Sequence, residues 1–287
     1  MKEQKSLTVV MLAGGVVVLA LRLWQTLTGF EADTRLAIPG HPAGAAVAAV
    51  LGVLALALLM LRNKLSVGRD ERTFEQVFFT ESAARLTVIV MGIFMMAAGG
   101  ALQLLFAFMG GGLQSVLQEG GMMLSVVWMG EVSPKEVMIL GVLAIVSAVC
   151  LFPAAAACRH GNLNTSDFNG SLLLAPVICL VVRLVMLYRI NSIDPVLQAY
   201  YVELLAVVFT ALAFYQLAGF AFGQGKVRWY GVCSGLAVVL CMTTLGDAHD
   251  ISGTLFYGGC VLSVLGFWLL YRPEEAPLQE VSDDPVN

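Results

Sequence analysis

The chain has 287 residues, 59% of them apolar and 13% charged, with a mean hydropathy of +0.84, whereas soluble domains carry about a quarter charged residues and roughly half apolar ones. This composition excludes an ordinary water-soluble enzyme, a disordered chain and a disulfide-stapled secreted module. Sixteen basic against 20 acidic residues leave a net charge of −4, without the clustered cations that phosphate neutralisation requires, so nucleic acid is excluded as a partner.

In chain order, the first apolar block covers 7–27 and follows Lys2 and Lys5. A secretory signal begins in this way, but no small-x-small cleavage site follows and the block runs on through Arg22 and Trp24, so a retained first span is expected. The second block is 43–61. The connection 62–83 is rich in Glu and Arg and carries Phe74, Val77 and Phe78 on a helical period, which suggests a helix lying in the membrane interface or else a solvated loop. The third block is 84–109. The connection after it, 110–136, holds an apolar piece at 122–129 that is too short to span and is preceded by five glycines. Such a piece is read as a re-entrant segment or a Gly-rich loop. The remaining blocks are 137–157, 171–190, 200–222, 229–245 and 251–271. The tail 273–287 has five acids, three prolines and no apolar period, and is expected to be disordered.

Blocks of about 20 apolar residues match a hydrocarbon core of about 30 Å. A backbone within lipid must pair its own N–H and C=O groups, so each block is predicted to be a helix. No alternation typical of a β-barrel is present. The expected fold is therefore all-α, a polytopic helical bundle of about eight transmembrane helices over 1–272.

Orientation follows from the basic residues of the connections. One side collects Lys2, Lys5, Arg62, Lys64, Arg69, Arg72, Arg85, Arg159, Lys226, Arg228 and Arg272, and the other only Arg35, Lys135 and Arg189. Both termini are thus expected in the cytoplasm of a cell-membrane protein. Trp24, Tyr188, Tyr200 and Tyr201 fall at outer helix ends, and Trp229, Tyr230, Trp268 and Tyr271 at inner ends, where headgroup-level aromatics belong. Arg22-Leu23 and Arg183-Leu184 precede Asp33 and Asp194 by equal offsets, with Pro39 and Pro195 nearby. That echo raises a parallel duplication, 1–158 against 159–272.

Ionisable side chains inside a span cost roughly 2.5–3.5 kcal/mol at a helix centre and so require a partner or a wet cavity. Arg22, Arg183 and Glu203 stand near the outer ends of their spans. An Arg183–Glu203 ion pair is predicted, with Arg22 as a competing partner. Guanidinium forks match carboxylates and phosphates, so these residues suggest a pocket for a small anionic solute. Against this stands a purely structural reading, in which the arginines reach for headgroups and Glu203 favours a helix N-terminus.

Asp247, His249 and Asp250 form a metal-capable trio within four residues, yet a tight turn favours Asp for local reasons, and no metal or other cofactor is expected. His41 and His160 are read as loop residues. The six cysteines form no C-x-x-C pair, and all but Cys158 lie in apolar blocks, as packing residues do. Gln103 and Gln216 are read as interhelical hydrogen-bonding groups, and Gly219/Gly223 and Gly231/Gly235 as small-xxx-small contacts. Pro153 and Pro176 can bend or end their helices.

No H-E-x-x-H, G-x-S-x-G or phosphate-binding Gly-rich loop occurs, and Gly246-Asp247 lacks the context of an intramembrane aspartyl site, so enzymatic chemistry has no residues to rest on. The first expectation is a permease-like transporter of small solutes, embedded in the bilayer and able to associate with further copies of itself. The alternative is a non-transporting scaffold or sensor whose 62–83 connection or acidic tail engages a cytoplasmic partner.

Overall fold

A computed structural model describes residues 2–30, 38, 41–65, 72, 74–109, 134–159, 170–191, 197–247 and 251–272. It is 89% helical and contains eight helices long and apolar enough to cross a membrane, with no strand among the described residues. The spans are α1 (Lys2–Thr28), α2 (Pro42–Leu61), α4 (Ala83–Met109), α5 (Pro134–Ala157), α6 (Leu174–Asn191), α7 (Leu197–Ala221), α8 (Val227–Thr244) and α9 (Ile251–Leu270). A five-residue helix, α3 (Phe74–Phe78), precedes α4. Each span agrees with its predicted block to within a few residues. The re-entrant candidate, the acidic tail, His160, His249 and Asp250 lie outside the described residues, as do Asp33, Pro39, Asp194 and Pro195 of the duplication echo.

Local chemistry sets several boundaries. His41 accepts the Ala43 N–H at 3.3 Å and Pro42 opens α2, a side-chain cap followed by a residue that needs no amide partner. At the end of α7, Gly223 takes φ +64 and the Gln224 N–H returns to the Gly219 carbonyl at 2.8 Å. This is a left-handed stop that glycine adopts without steric cost, so Gly219/Gly223 terminate a helix and do not form the interhelical contact expected of them. Pro153 lies inside α5, which continues to Ala157.

Helices α4 to α9 close a ring in chain order: α4 packs on α5, α5 on α6, α6 on α7, α7 on α8, α8 on α9, and α9 returns to α4. Helices α1 and α2 pair with each other outside the ring, against α8. Thus α1 and α2 flank the ring that α6 and α7 help to build.

The closing contact between α9 and α4 is the most extensive and depends on small residues. A Cβ on Gly259 would stand 2.6 Å from the Met96 nitrogen and 2.7 Å from the Gly92 oxygen, and one on Gly99 would stand 2.7 Å from the Ser252 oxygen. Backbones approach this closely only where side chains are absent. Outward faces are apolar at helical spacing, as with Ile178, Val181 and Val185 on α6 or Val142, Val146 and Val149 on α5. These stripes suit lipid.

Gln4 donates to the carbonyls of Trp268 (3.0 Å) and Tyr271 (2.9 Å), so α1 begins where α9 ends. Both ends of the bundle thus share one face, here called the terminal face. On that face Phe74, Val77 and Phe78 of α3 are buried. Phe78 meets Phe220 edge-on at 5.3 Å, with Tyr230, Phe267 and Tyr271 at 6.1–6.4 Å. The Arg272 N–H donates to the Val77 carbonyl and the Thr80 N–H to the Cys158 carbonyl, each at 3.0 Å. The apolar face expected at the membrane interface instead enters the protein, because the ring offers it four aromatic neighbours. For the same reason Tyr230, Trp268 and Tyr271 are buried against protein neighbours, while Trp229 stays exposed. Burial raises the Glu75 carboxyl above its ordinary value and pushes the adjacent Cys158 thiol up to about 12. Cys158 is therefore an inert packing group.

Candidate functional site

Four helices of the ring carry a polar side chain at nearly one depth below the far face. Arg183 lies eight residues before the end of α6, Gln103 six before the end of α4, and Glu203 and Tyr257 six after the starts of α7 and α9. At 1.5 Å per residue these are depths of about 9–12 Å. The up-and-down course of the chain brings all four to one level.

Arg183 and Tyr257 approach from opposite sides of the ring, since α6 and α9 are separated by two helices in either direction. The Arg183 guanidinium stacks over Phe256 at 3.9 Å and lies 5.6 Å from the Tyr257 ring centre, within hydrogen-bonding reach of the Tyr257 hydroxyl. That hydroxyl donates to Glu203 Oε1 at 2.6 Å. Cys260, one turn deeper, lies within the electrostatic reach of Arg183. Arg183 and Glu203 are thus brought together through Tyr257, and the expected direct ion pair does not form. The hydroxyl stands where that contact would have been.

Arg183 is 3% exposed, and its Nε and Nη1 have no acceptor. A desolvated cation–π contact contributes about 2 kcal/mol. Each unsatisfied buried donor costs about 1–3 kcal/mol, so the Phe256 face does not offset two of them. In the same layer the Gln103 carbonyl oxygen is buried without a donor, close to Gly141 of α5. The layer therefore holds unmet donors on Arg183 and an unmet acceptor on Gln103.

Arg22 is placed elsewhere. It is 1% exposed, bonds through Nε to Asp247 Oδ1, and donates from Nη1 to Gln25 Oε1 at 2.8 Å. Its stem packs where Gly246 lacks a side chain, and Tyr201 of α7 lies within reach of both charges. The cluster joins α1 to the end of α8, outside the ring. Asp247 is thereby engaged by a cation, and no metal-ligand trio occurs among the described residues. Arg189 meets Glu136 at 3.6 Å on the surface.

Phe256 and Tyr257 are the site residues that sequence reasoning passed over, because aromatics in an apolar block look like packing or headgroup anchors. Depth was the available signal, since six residues inside a span is too deep for a headgroup anchor. No protein-family model, curated protein or solved structure matches the chain. The chain is a multi-pass membrane protein, and its activity must be argued from the ring.

Proposed function

We propose that this protein is a permease-like transporter that takes a small solute from the far face into the Arg183 layer by its carboxylate or phosphate group. The single observation carrying this reading is the Arg183 guanidinium, buried among ring helices with Nε and Nη1 unmatched. Guanidinium groups recognise carboxylates and phosphates through such donors. An intramembrane ionisable residue facing a bundle interior is the usual mark of a solute path. The bias of basic residues toward the terminal face makes that face cytoplasmic, so the solute would enter from outside.

The apolar face of α3 is consumed inside the protein, so a scaffold would have to engage its partner through the charged part of the 62–83 connection or the acidic tail. Arg22 serves to hold α1 against α8.

Thermal unfolding of the purified protein in detergent tests the reading, with phosphate and small carboxylates, amino acids among them, as probes. At least one should stabilise the wild type saturably and lose its effect in Arg183→Gln, while the variant still inserts and accumulates. An Arg183→Gln protein that responds to every probe as the wild type does would overturn it.

A further inference from the structure

The Arg183 layer contains a cation and an anion that do not neutralise each other. Glu203 is half-buried and receives the Tyr257 hydroxyl on Oε1 at 2.6 Å, and among the described residues its carboxylate has no further hydrogen bond or ion pair. Arg183 leaves two of its three guanidinium nitrogens unmatched. Tyr257 stands between them, with the Phe256 ring that carries Arg183 5.4 Å away. Opposite charges attract at contact, yet these two are held apart with the Tyr257 hydroxyl between them. An isolated anion bound at Arg183 would also place its charge near the Glu203 carboxylate, which opposes it.

We infer that the site recognises a small zwitterion, with its carboxylate on the open donors of Arg183 and its ammonium on the open oxygen of Glu203. This inference rests on the transporter reading above and names its substrate class. A zwitterion completes both unmatched valences at once and adds no net charge to the layer. A simple anion satisfies Arg183 and meets repulsion from Glu203, and a simple amine does the reverse. Tyr257 sets the separation that the two ligand groups must span.

The test uses the full-length protein in detergent and a panel of α- and ω-amino acids, each beside the carboxylic acid and the amine of equal chain length, with thermal unfolding as the readout. At least one amino acid should stabilise the wild type with a half-saturating concentration ten-fold or more below that of its matched acid. Glu203→Gln keeps an acceptor for Tyr257 and should erase that preference, so that acid and amino acid become equivalent. Arg183→Gln should abolish saturation by both. An acid equal to or tighter than its amino acid in the wild type, or a preference that survives Glu203→Gln, overturns the zwitterion and leaves the anion site standing. No saturable response to any probe, or an unchanged response in Arg183→Gln, overturns both readings. Tyr257→Phe supplies a second check, because loss of the intervening hydroxyl should weaken the amino acid more than the acid.

Discussion

Arg22 shows what an engaged buried cation looks like in this protein, against which Arg183 stands out. The Arg22 guanidinium has Asp247 and Gln25 as acceptors, so removing one partner leaves a cation buried at 1% exposure. Breaking a buried pair from one side costs about 3–5 kcal/mol, whereas replacing both members by apolar groups is often neutral. Asp247→Ala should therefore lower the unfolding midpoint and cellular accumulation by that order, and the Arg22→Met/Asp247→Leu double variant should recover most of it. A double variant no better than Asp247→Ala would show that the two side chains do not act as a pair. At this scale the sequence exposed the residues but not their pairings. Arg22, Arg183 and Glu203 could be singled out because charge inside a span is costly. Which acceptor each would find depended on helix neighbours that spacing does not reveal, and Tyr257 carries no charge to announce it.

Helices were the most readable elements, since a hydrocarbon-length apolar block in lipid has one backbone solution. The contacts between them were harder to foresee. A Cβ on Gly231 or Gly235 would stand 3.0–3.2 Å from side chains of Trp268, Leu65, Leu7, Leu58 and Met11, a close fit of α8 against neighbouring side chains rather than against backbone. The closest approach falls instead at Gly92, Gly99 and Gly259. The spacing of seven in Gly92/Gly99 and in Ser252/Gly259/Gly266 is a small-residue seam, hidden by attention to a spacing of four. Gly259→Ala would push a methyl group into backbone atoms of α4, and overpacking of this kind costs about 1–3 kcal/mol. Its unfolding midpoint should fall, while Gly52→Ala, where nothing lies within 4 Å, should leave stability unchanged. Equal behaviour of the two variants, read by thermal unfolding in the same detergent, would refute the seam.

The molecule as a whole is a six-helix ring with a two-helix flank, and neither the closure nor the flank could be read from an alternating series of spans. One clue was present. Helix α2 is among the most apolar spans and the least buried, while α8 is the least apolar and the most buried, as expected when lipid demands apolar surface and protein neighbours demand small side chains. The shared face of Gln4 and Tyr271 is structural, and the proposal that it is cytoplasmic predicts a pattern of labelling. Single cysteines at Lys5 and Arg272 should react with an impermeant thiol reagent only after cells are opened, and one at Asp194 should react on intact cells. Labelling of Asp194 and Lys5 from the same side would refute the orientation. The native thiols among the described residues are buried or half-buried, so they should contribute little background.

At the terminal face the ring is closed by Phe78. Drawing it out would strip edge contacts from Phe220, Tyr230, Phe267 and Tyr271 together and strain two backbone bonds that moor its segment. Losing a buried phenylalanine's packing costs about 3–5 kcal/mol, and every 1.4 kcal/mol is a factor of ten. An arrangement with Phe78 in place therefore outweighs one with it drawn out by about two to three and a half powers of ten, which fastens the α3 segment firmly to the helix ends around it.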